Sequence, residues 1–151
     1  MNSLDLKALV LLVVRLVVAA TFIMAALPKI QDPISFTASV QGFQLVGSTM
    51  SKWTALILPW FELVIGIGLL VPAIRRLSGT FIAALLLVFI GLHASAWARG
   101  LEISCGCFGT EAGTTTDYRL LILRNLFLLV ATIWVVRRDC VREISFSSLA
   151  R

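Results

Sequence analysis

Residues 8–27 read ALVLLVVRLVVAATFIMAAL, an apolar run of twenty residues that follows Lys7 and contains one charge, Arg15. A helix of this length is about 30 Å long, which matches the hydrocarbon core of a bilayer. A secretory signal peptide is the alternative interpretation. Arg15 interrupts the apolar region that such a peptide needs, and the run is long enough to span. The run therefore predicts a retained transmembrane helix.

The rest of the chain has the same character. Hydrophobic residues make up 59% of it and charged residues 14%, whereas a soluble domain has about 25% charged residues. These values predict one all-α membrane domain over residues 1–151, a four-transmembrane-helix bundle in a lipid bilayer. The predicted spans are residues 7–27, 53–73, 77–98 and 120–137, and a polar loop occupies residues 99–118.

A short polar segment separates the first two spans. Residues 28–33 read PKIQDP, in which the first proline predicts the end of the span, and Asp32 with the proline after it predicts an N-cap. Phe36, Val40 and Phe43 then recur at helical spacing. The segment predicts an amphipathic helix at the membrane interface or folded back against the bundle. An ordinary surface helix packed on loops is the alternative.

The basic residues indicate the orientation in the membrane. The net charge is +5, and most of the basic residues lie at the ends of apolar runs, so they predict topology and not a nucleic-acid partner. One side would hold Lys7, Arg75, Arg76, Arg137, Arg138, Arg142 and Arg151, and the other Lys29, Lys52, Arg99 and Arg119. The positive-inside rule then places both termini in the cytoplasm of a bacterial cell and the 99–118 loop in the periplasm.

That loop contains two cysteines in the string CGCFG, Cys105 and Cys107. A disulfide between them closes a small strained ring, and strained exposed disulfides exchange readily. A structural disulfide would instead be expected to link distant segments. Zinc needs about four ligands and no second pair is present, so no metal site is predicted. The pattern favours redox exchange, in a compartment where disulfides persist. Copper(I) transfer and a structural turn remain as alternatives.

Three ionisable residues interrupt the apolar runs: Arg15, Glu62 and Arg124. Charges at such depth are costly, and they usually pair and mark function. Helical rise predicts that Arg15 and Glu62 meet near the middle of the membrane. Arg124 would lie nearer the loop, where a guanidinium favours the thiolate form of a cysteine. A purely architectural clamp is the alternative. His93 is predicted to be a hydrogen-bonded packing residue and, if functional, a proton relay or a quinone contact.

Several segments carry a resemblance to a known family. They are Arg15 in the first span, residues 27–33 with Phe36, LPWFE at residues 58–62, CGCFG at residues 105–109, and Arg124-Asn125. Together they resemble the DoxX-like membrane proteins, and among these the MauE branch, named for methylamine utilisation. That branch commonly has an acidic residue before CGCFG, where this chain has Ser104.

The resemblance implies a four-helix membrane bundle and periplasmic thiol–disulfide chemistry beside a thioredoxin-like partner that matures an exported enzyme. DoxX relatives are also linked with thiosulfate oxidation and quinone reduction, but the two cysteines point to the MauE branch. Cys140 lies beyond the fourth span and is predicted to be a reduced thiol with no special role.

The function predicted is that of a membrane thiol–disulfide oxidoreductase. Because a dithiol on one face cannot pass electrons through ~30 Å of hydrocarbon, a second carrier is needed, and a quinone is the candidate. A non-enzymatic assembly factor that passes copper to an exported enzyme is the alternative. The candidate residues are Cys105, Cys107, Arg124, Glu62 and Arg15 for catalysis, and His93, Trp60 and Trp97 for cofactor contacts.

Overall fold

The computed structural model describes residues 3–101 and 117–149, so the predicted dithiol, Cys105 and Cys107, lies outside the described residues. The described chain forms helices with no strands. They are α1 (Ser3–Gln31), α2 (Pro33–Gly42), α3 (Ser48–Gly68), α4 (Arg75–Ala98) and α5 (Tyr118–Leu149).

Four of these helices are long and apolar enough to cross a bilayer, at Leu6–Gln31, Ser48–Gly68, Arg75–Ala98 and Tyr118–Cys140. Helix α1 packs against α3 and α5, and α4 packs against the same two helices, which closes a ring of four. Large apolar side chains fill the centre of the ring, including Val18, Phe22, Ile65, Ile82, Leu86 and Leu128. The outward faces remain apolar because they contact lipid. The prediction of a four-helix membrane bundle is confirmed.

Helix α1 continues through Pro28, so the prediction that this proline ends the first span is wrong. A proline removes one backbone donor, and within a membrane a packed helix tolerates this loss. The Asp32 N–H donates to the Pro28 carbonyl at 3.0 Å and completes the last turn. The extra turn brings Lys29 into the interior of the bundle, where it is 4% exposed.

Helix α2 begins as predicted. The Asp32 side chain accepts a hydrogen bond from the Ser35 N–H at 3.0 Å, and a proline follows it at the first helical position. The Ser35 hydroxyl and N–H bind the carboxylate and hold the pKa of Asp32 below its ordinary value of 3.8. Phe36 is buried, and Val40 and Phe43 are half-buried. Helix α2 packs on α3 and α1, so it is folded back against the bundle.

The second span lies about one turn earlier than predicted. It ends at Gly68 instead of residue 73, and residues 75–76 form the start of α4 instead of the connecting turn. The helices approach closely at this end, because a Cβ on Gly68 would lie 2.3 Å from the Ser78 Oγ atom. The chain needs the six residues 69–74 to reverse direction after this contact.

Helix α5 continues to Leu149, whereas the fourth span was predicted to end at residue 137. No glycine or proline occurs between residues 118 and 149, so the backbone has no reason to leave the helix at the two arginines. The continuation carries Asp139 into the bundle, where its side chain is 2% exposed.

Candidate functional site

The interior of the bundle contains charged side chains at two depths. We call the end where α4 finishes and α5 begins the loop end, and the opposite end, where α1 begins, the terminal end. The loop-end cluster consists of Lys29, Glu62, His93, Arg124 and Asn125. The terminal-end cluster consists of Arg15, Arg75 and Asp139.

A buried ion pair is the centre of the loop-end cluster. The Lys29 Nζ atom donates to Glu62 Oε1 at 2.8 Å and to Oε2 at 2.7 Å. Both side chains are almost fully buried, at 3% and 1% exposure. The ammonium also lies 5.1 Å from the centre of the Phe36 ring and 5.5 Å from that of Phe89. The carboxylate and the two ring faces replace the water that a cation loses on burial.

A small cavity, lined by both polar and apolar side chains, adjoins this ion pair. Its volume is about 40 Å³, and Glu62, His93, Arg124 and Asn125 are among the residues that line it. Asn125 is 3% exposed, and its Nδ2 atom has no hydrogen-bond partner among the described residues. A water needs about 10–15 Å³ and two or more polar partners. The cavity therefore has the size and the lining to hold a few waters.

His93 stands at the edge of this cavity. Its Nδ1 atom donates to the Phe89 carbonyl, which defines the tautomer because a carbonyl only accepts. The imidazole is in edge-to-face contact with the Phe43 ring, at 6.0 Å between centroids. The predicted packing role of His93 agrees with these contacts, and the side chain also faces the cavity.

A larger and mostly apolar cavity of about 160 Å³ lies next to the 40 Å³ cavity, between α2, α3 and α4. The two cavities share Lys29, Phe89 and His93 as a common wall. The other walls of the larger cavity come from side chains that include Phe36, Val40, Phe43, Val46, Leu58 and Leu92. A mostly apolar cavity with Lys29 in its wall is suited to an amphiphilic ligand.

The terminal-end cluster is built around Asp139. The Arg15 Nη2 atom donates to both carboxylate oxygens, at 2.7 and 2.9 Å. The Arg75 Nε atom lies 3.5 Å from Asp139 Oδ2. On the same turn of α5, the Cys140 sulfur accepts a hydrogen bond from Arg76. Helices α1, α4 and α5 are thus tied together at this end.

The predicted contact between Arg15 and Glu62 is wrong. Arg15 and Lys29 are fourteen residues apart on α1, which corresponds to about 21 Å along the helix axis. Glu62 pairs with Lys29 at the loop end, and Arg15 pairs with Asp139 at the other. The prediction failed because the predicted spans ended at residues 27 and 137. Lys29 and Asp139, which are the true partners, were therefore placed outside the membrane.

The remaining predicted site residues divide into two groups. Glu62, His93 and Arg124 line one cavity. Trp60 and Trp97 are 54% and 51% exposed on the outside of the bundle and line neither cavity described above. Sequence reasoning missed Lys29 as a partner of Glu62, although a buried carboxylate needs a cation and Lys29 was available one residue after Pro28.

These features define a polytopic helical membrane protein with a charged interior and a ligand-sized cavity. Residues 7–138 match the profile of the family Methylamine utilisation protein MauE, and the chain belongs to this family. The resemblance noted from the sequence is confirmed.

Three named relatives bear the same description, methylamine utilization protein MauE. The chain is 35% identical over 124 residues to that of Paracoccus denitrificans, covering 82% of this chain and 66% of the relative. It is 34% identical over 125 residues to that of Methylophilus methylotrophus, covering 82% and 64%. For Methylorubrum extorquens the values are 33% over 108 residues, 71% and 58%. The chain thus matches two thirds or less of the length of these relatives. No solved structure shows a significant match.

Proposed function

We propose that this chain is a thiol–disulfide redox protein of the bacterial plasma membrane. Cys105 and Cys107 exchange electrons with a thioredoxin-like protein on the outer side of the membrane. By analogy with the names of its relatives, the exchange serves methylamine utilisation, and its role there is the maturation of an exported enzyme. In either direction, one exchange oxidises a dithiol on one protein to a disulfide and reduces a disulfide on the other to a dithiol, so two electrons and two protons move between them.

The observation that carries this proposal is the position of the loop-end cluster and of the smaller cavity beside it. The segment with the two cysteines connects α4, which ends at Ala98, to α5, which begins at Tyr118. The Tyr118 hydroxyl donates to the Leu101 carbonyl and so joins the two ends of this connection. The Tyr118 ring is also 6.4 Å from the His93 ring, at the edge of the cavity. The connection therefore starts and finishes beside the loop-end cluster.

The charge of this cluster suits a redox dithiol. Lys29, Arg124 and Glu62 together carry one net positive charge. A positive potential favours the thiolate, which is the attacking form of a cysteine. The smaller cavity has room for a few waters, and such waters would give the protons of a thiol a route to and from the site. The outward orientation rests on the basic residues, which are concentrated at the terminal end.

The test is to trap the exchange in cells that contain the partner. Cys105→Ser and Cys107→Ser each leave one thiol that cannot complete the ring. We expect at least one of them to accumulate a mixed disulfide with a soluble thioredoxin-like protein, visible as a reducible band and identified by mass spectrometry. Cys140→Ser is the matched control, because Cys140 lies at the terminal end, and it should behave like the wild type.

Two results would overturn the proposal. The first is an unchanged redox state of the partner when Cys105 and Cys107 are both replaced by serine. The second is stoichiometric binding of copper(I) to the reduced protein with no mixed disulfide in any variant. The second result would favour the copper-passing assembly factor.

A further inference from the structure

We infer that the terminal-end cluster binds the phosphate of an anionic phospholipid, with Arg15 and Arg75 as the hydrogen-bond donors. The residues of this cluster lie at the opposite end of the bundle from the loop-end cluster and take no part in the proposed thiol exchange. Their contacts join α1, α4 and α5 around Asp139. A bound lipid gives the same residues a second role, which is to select the membrane lipid beside the bundle.

The two guanidinium groups have more donors than the cluster has acceptors. Each guanidinium has five N–H donors, and the one carboxylate nearby is that of Asp139. Arg15 donates to it through Nη2 alone, at 2.7 and 2.9 Å, and Arg75 Nε lies 3.5 Å from Oδ2. The buried Nε atoms of Arg15 and Arg75 have no hydrogen-bond partner among the described residues. Buried donors are almost always satisfied in proteins, so this excess points to an acceptor from outside the chain.

The charge of the cluster selects an anion with one negative charge. Two guanidinium groups and one carboxylate leave one positive charge unbalanced. A phosphodiester carries one negative charge, and its two free oxygens fit the parallel N–H groups of a guanidinium. Phosphatidylglycerol has this charge and no cation to offset it. Phosphatidylethanolamine carries an ammonium group beside its phosphate, and the guanidinium groups repel that ammonium.

The cluster also lies where a phospholipid places its phosphate. Arg75 is the first residue of the α4 span and Asp139 the last but one of the α5 span, so both are at the boundary of the hydrocarbon layer. The side chains of Arg15 and Arg75 are 14% and 20% exposed, so a ligand can reach them from outside the bundle. Leu12 lies one turn from Arg15 on the same face of α1 and is 48% exposed. An acyl chain packs against this apolar face, whereas a free phosphate ion gains nothing from it.

Titration with defined lipids tests this assignment. The full chain in a neutral detergent is titrated with dioleoylphosphatidylglycerol or with dioleoylphosphatidylethanolamine, and bound lipid is measured by native mass spectrometry. We expect the first lipid to bind about tenfold more tightly than the second. Arg75→Gln should lower the affinity for phosphatidylglycerol about fivefold, while Arg15 still pairs with Asp139. The matched control is Arg138→Gln, which removes the same charge from an exposed side chain beside the Trp134 ring and should leave the affinity nearly unchanged.

A second variant changes the affinity in the opposite direction. Asp139→Asn removes the carboxylate from the cluster and raises its net positive charge from one to two. The phosphate then meets two guanidinium groups without a competing anion, so phosphatidylglycerol should bind more tightly than it does to the wild type. It should also raise the melting temperature of this variant by more than that of the wild type. Weaker binding of phosphatidylglycerol to the folded Asp139→Asn protein would contradict the assignment.

Inorganic phosphate, added in place of lipid at the same concentration, distinguishes the two sources of a phosphate group. We expect it to raise the melting temperature of the wild-type protein much less than phosphatidylglycerol does. An equal rise would show that the cluster takes a soluble phosphate compound and would overturn the inference. Equal affinities of the wild type for the two lipids, or equal losses in Arg75→Gln and Arg138→Gln, would overturn it as well. The comparison of the two lipids and of phosphate uses the unchanged protein, so it does not depend on the folding of any variant.

Discussion

Lys29 and Glu62 are expected to show the energetics of a buried ion pair. Removing one partner leaves the other charged and unpaired in an apolar interior, so Lys29→Met or Glu62→Met alone should lower the free energy of unfolding by about 3–5 kcal/mol. The double variant should lose much less, because no charge remains to be buried. Unfolding in mixed detergent micelles, followed by circular dichroism, measures all three. Additive losses in the double variant would contradict this prediction.

The same residues show what sequence reasoning can reach at this scale. The place of Glu62, Arg15 and Arg124 in apolar runs predicted that they are paired interior charges. Arg15 is indeed in an ion pair with Asp139, and Glu62 is in one with Lys29. Their partners could not be identified. The choice depended on one additional turn of α1 and on Asp139, which lies beyond the predicted end of the fourth span. A shift of four residues moves a charge by about 6 Å along a helix and decides which pairs are possible.

The contact between α3 and α4 depends on a residue without a side chain. Gly68→Ala should lower the free energy of unfolding by about 1–3 kcal/mol, because the new methyl group would lie 2.3 Å from Ser78 Oγ and 3.2 Å from Ile74 Cδ1. Gly91→Ala on α4 is the control, since a methyl group added there would meet no atom within 4 Å. That change should be neutral or stabilising by up to about 1 kcal/mol. Equal effects of the two substitutions would argue against the close contact.

Helix α2 should respond to acid through its N-cap. The hydrogen bonds from Ser35 hold the pKa of Asp32 below 3.8 in the folded protein. A lowered pKa means that the stabilisation is complete above the unfolded pKa and is lost as the pH falls through the folded one. Hydrogen exchange of α2 amides should therefore be protected at neutral pH and lose protection below about pH 4.

The control for this effect is Asp32→Asn, which keeps a good N-cap without a titrating group. Protection of α2 relative to the other helices should then no longer change with pH in the acidic range. The same acid response in both proteins would show that Asp32 is not its source.

At the scale of elements, the apolar runs predicted every span, and Asp32 with its proline predicted α2. The boundaries were less accurate because they depend on neighbours. Pro28 lies inside α1 and Pro59 inside α3, since packed membrane helices tolerate a missing donor. Two arginines did not end α5, because charge affects where a helix leaves the membrane and not whether the helix continues.

The whole molecule should have its three cysteines on two sides of the membrane. A membrane-impermeant maleimide added to spheroplasts, after mild reduction, is expected to label Cys105 and Cys107, since the basic residues predict an outward loop. Cys140 lies at the terminal end beside Arg76 and should be labelled only after lysis. Single-cysteine variants make the assignment unambiguous. Labelling of Cys140 from outside would reverse the topology.

The apolar core between the loop-end cluster and the terminal-end cluster has a consequence for the movement of charge. The described core side chains there are apolar, except Thr132, whose hydroxyl donates to the Leu128 carbonyl of its own helix. Fourteen residues separate Lys29 from Arg15 on α1, so the two clusters lie about 20 Å apart along the helix axis, and Thr21 of α1, whose hydroxyl donates to the Val17 carbonyl, lies between them. Each ion pair described in the bundle then lies within one cluster, and none joins the two ends. If the proposed thiol exchange takes place at the loop end, we expect it to move no net charge across the bilayer, and its rate should not change when an ionophore collapses the membrane potential.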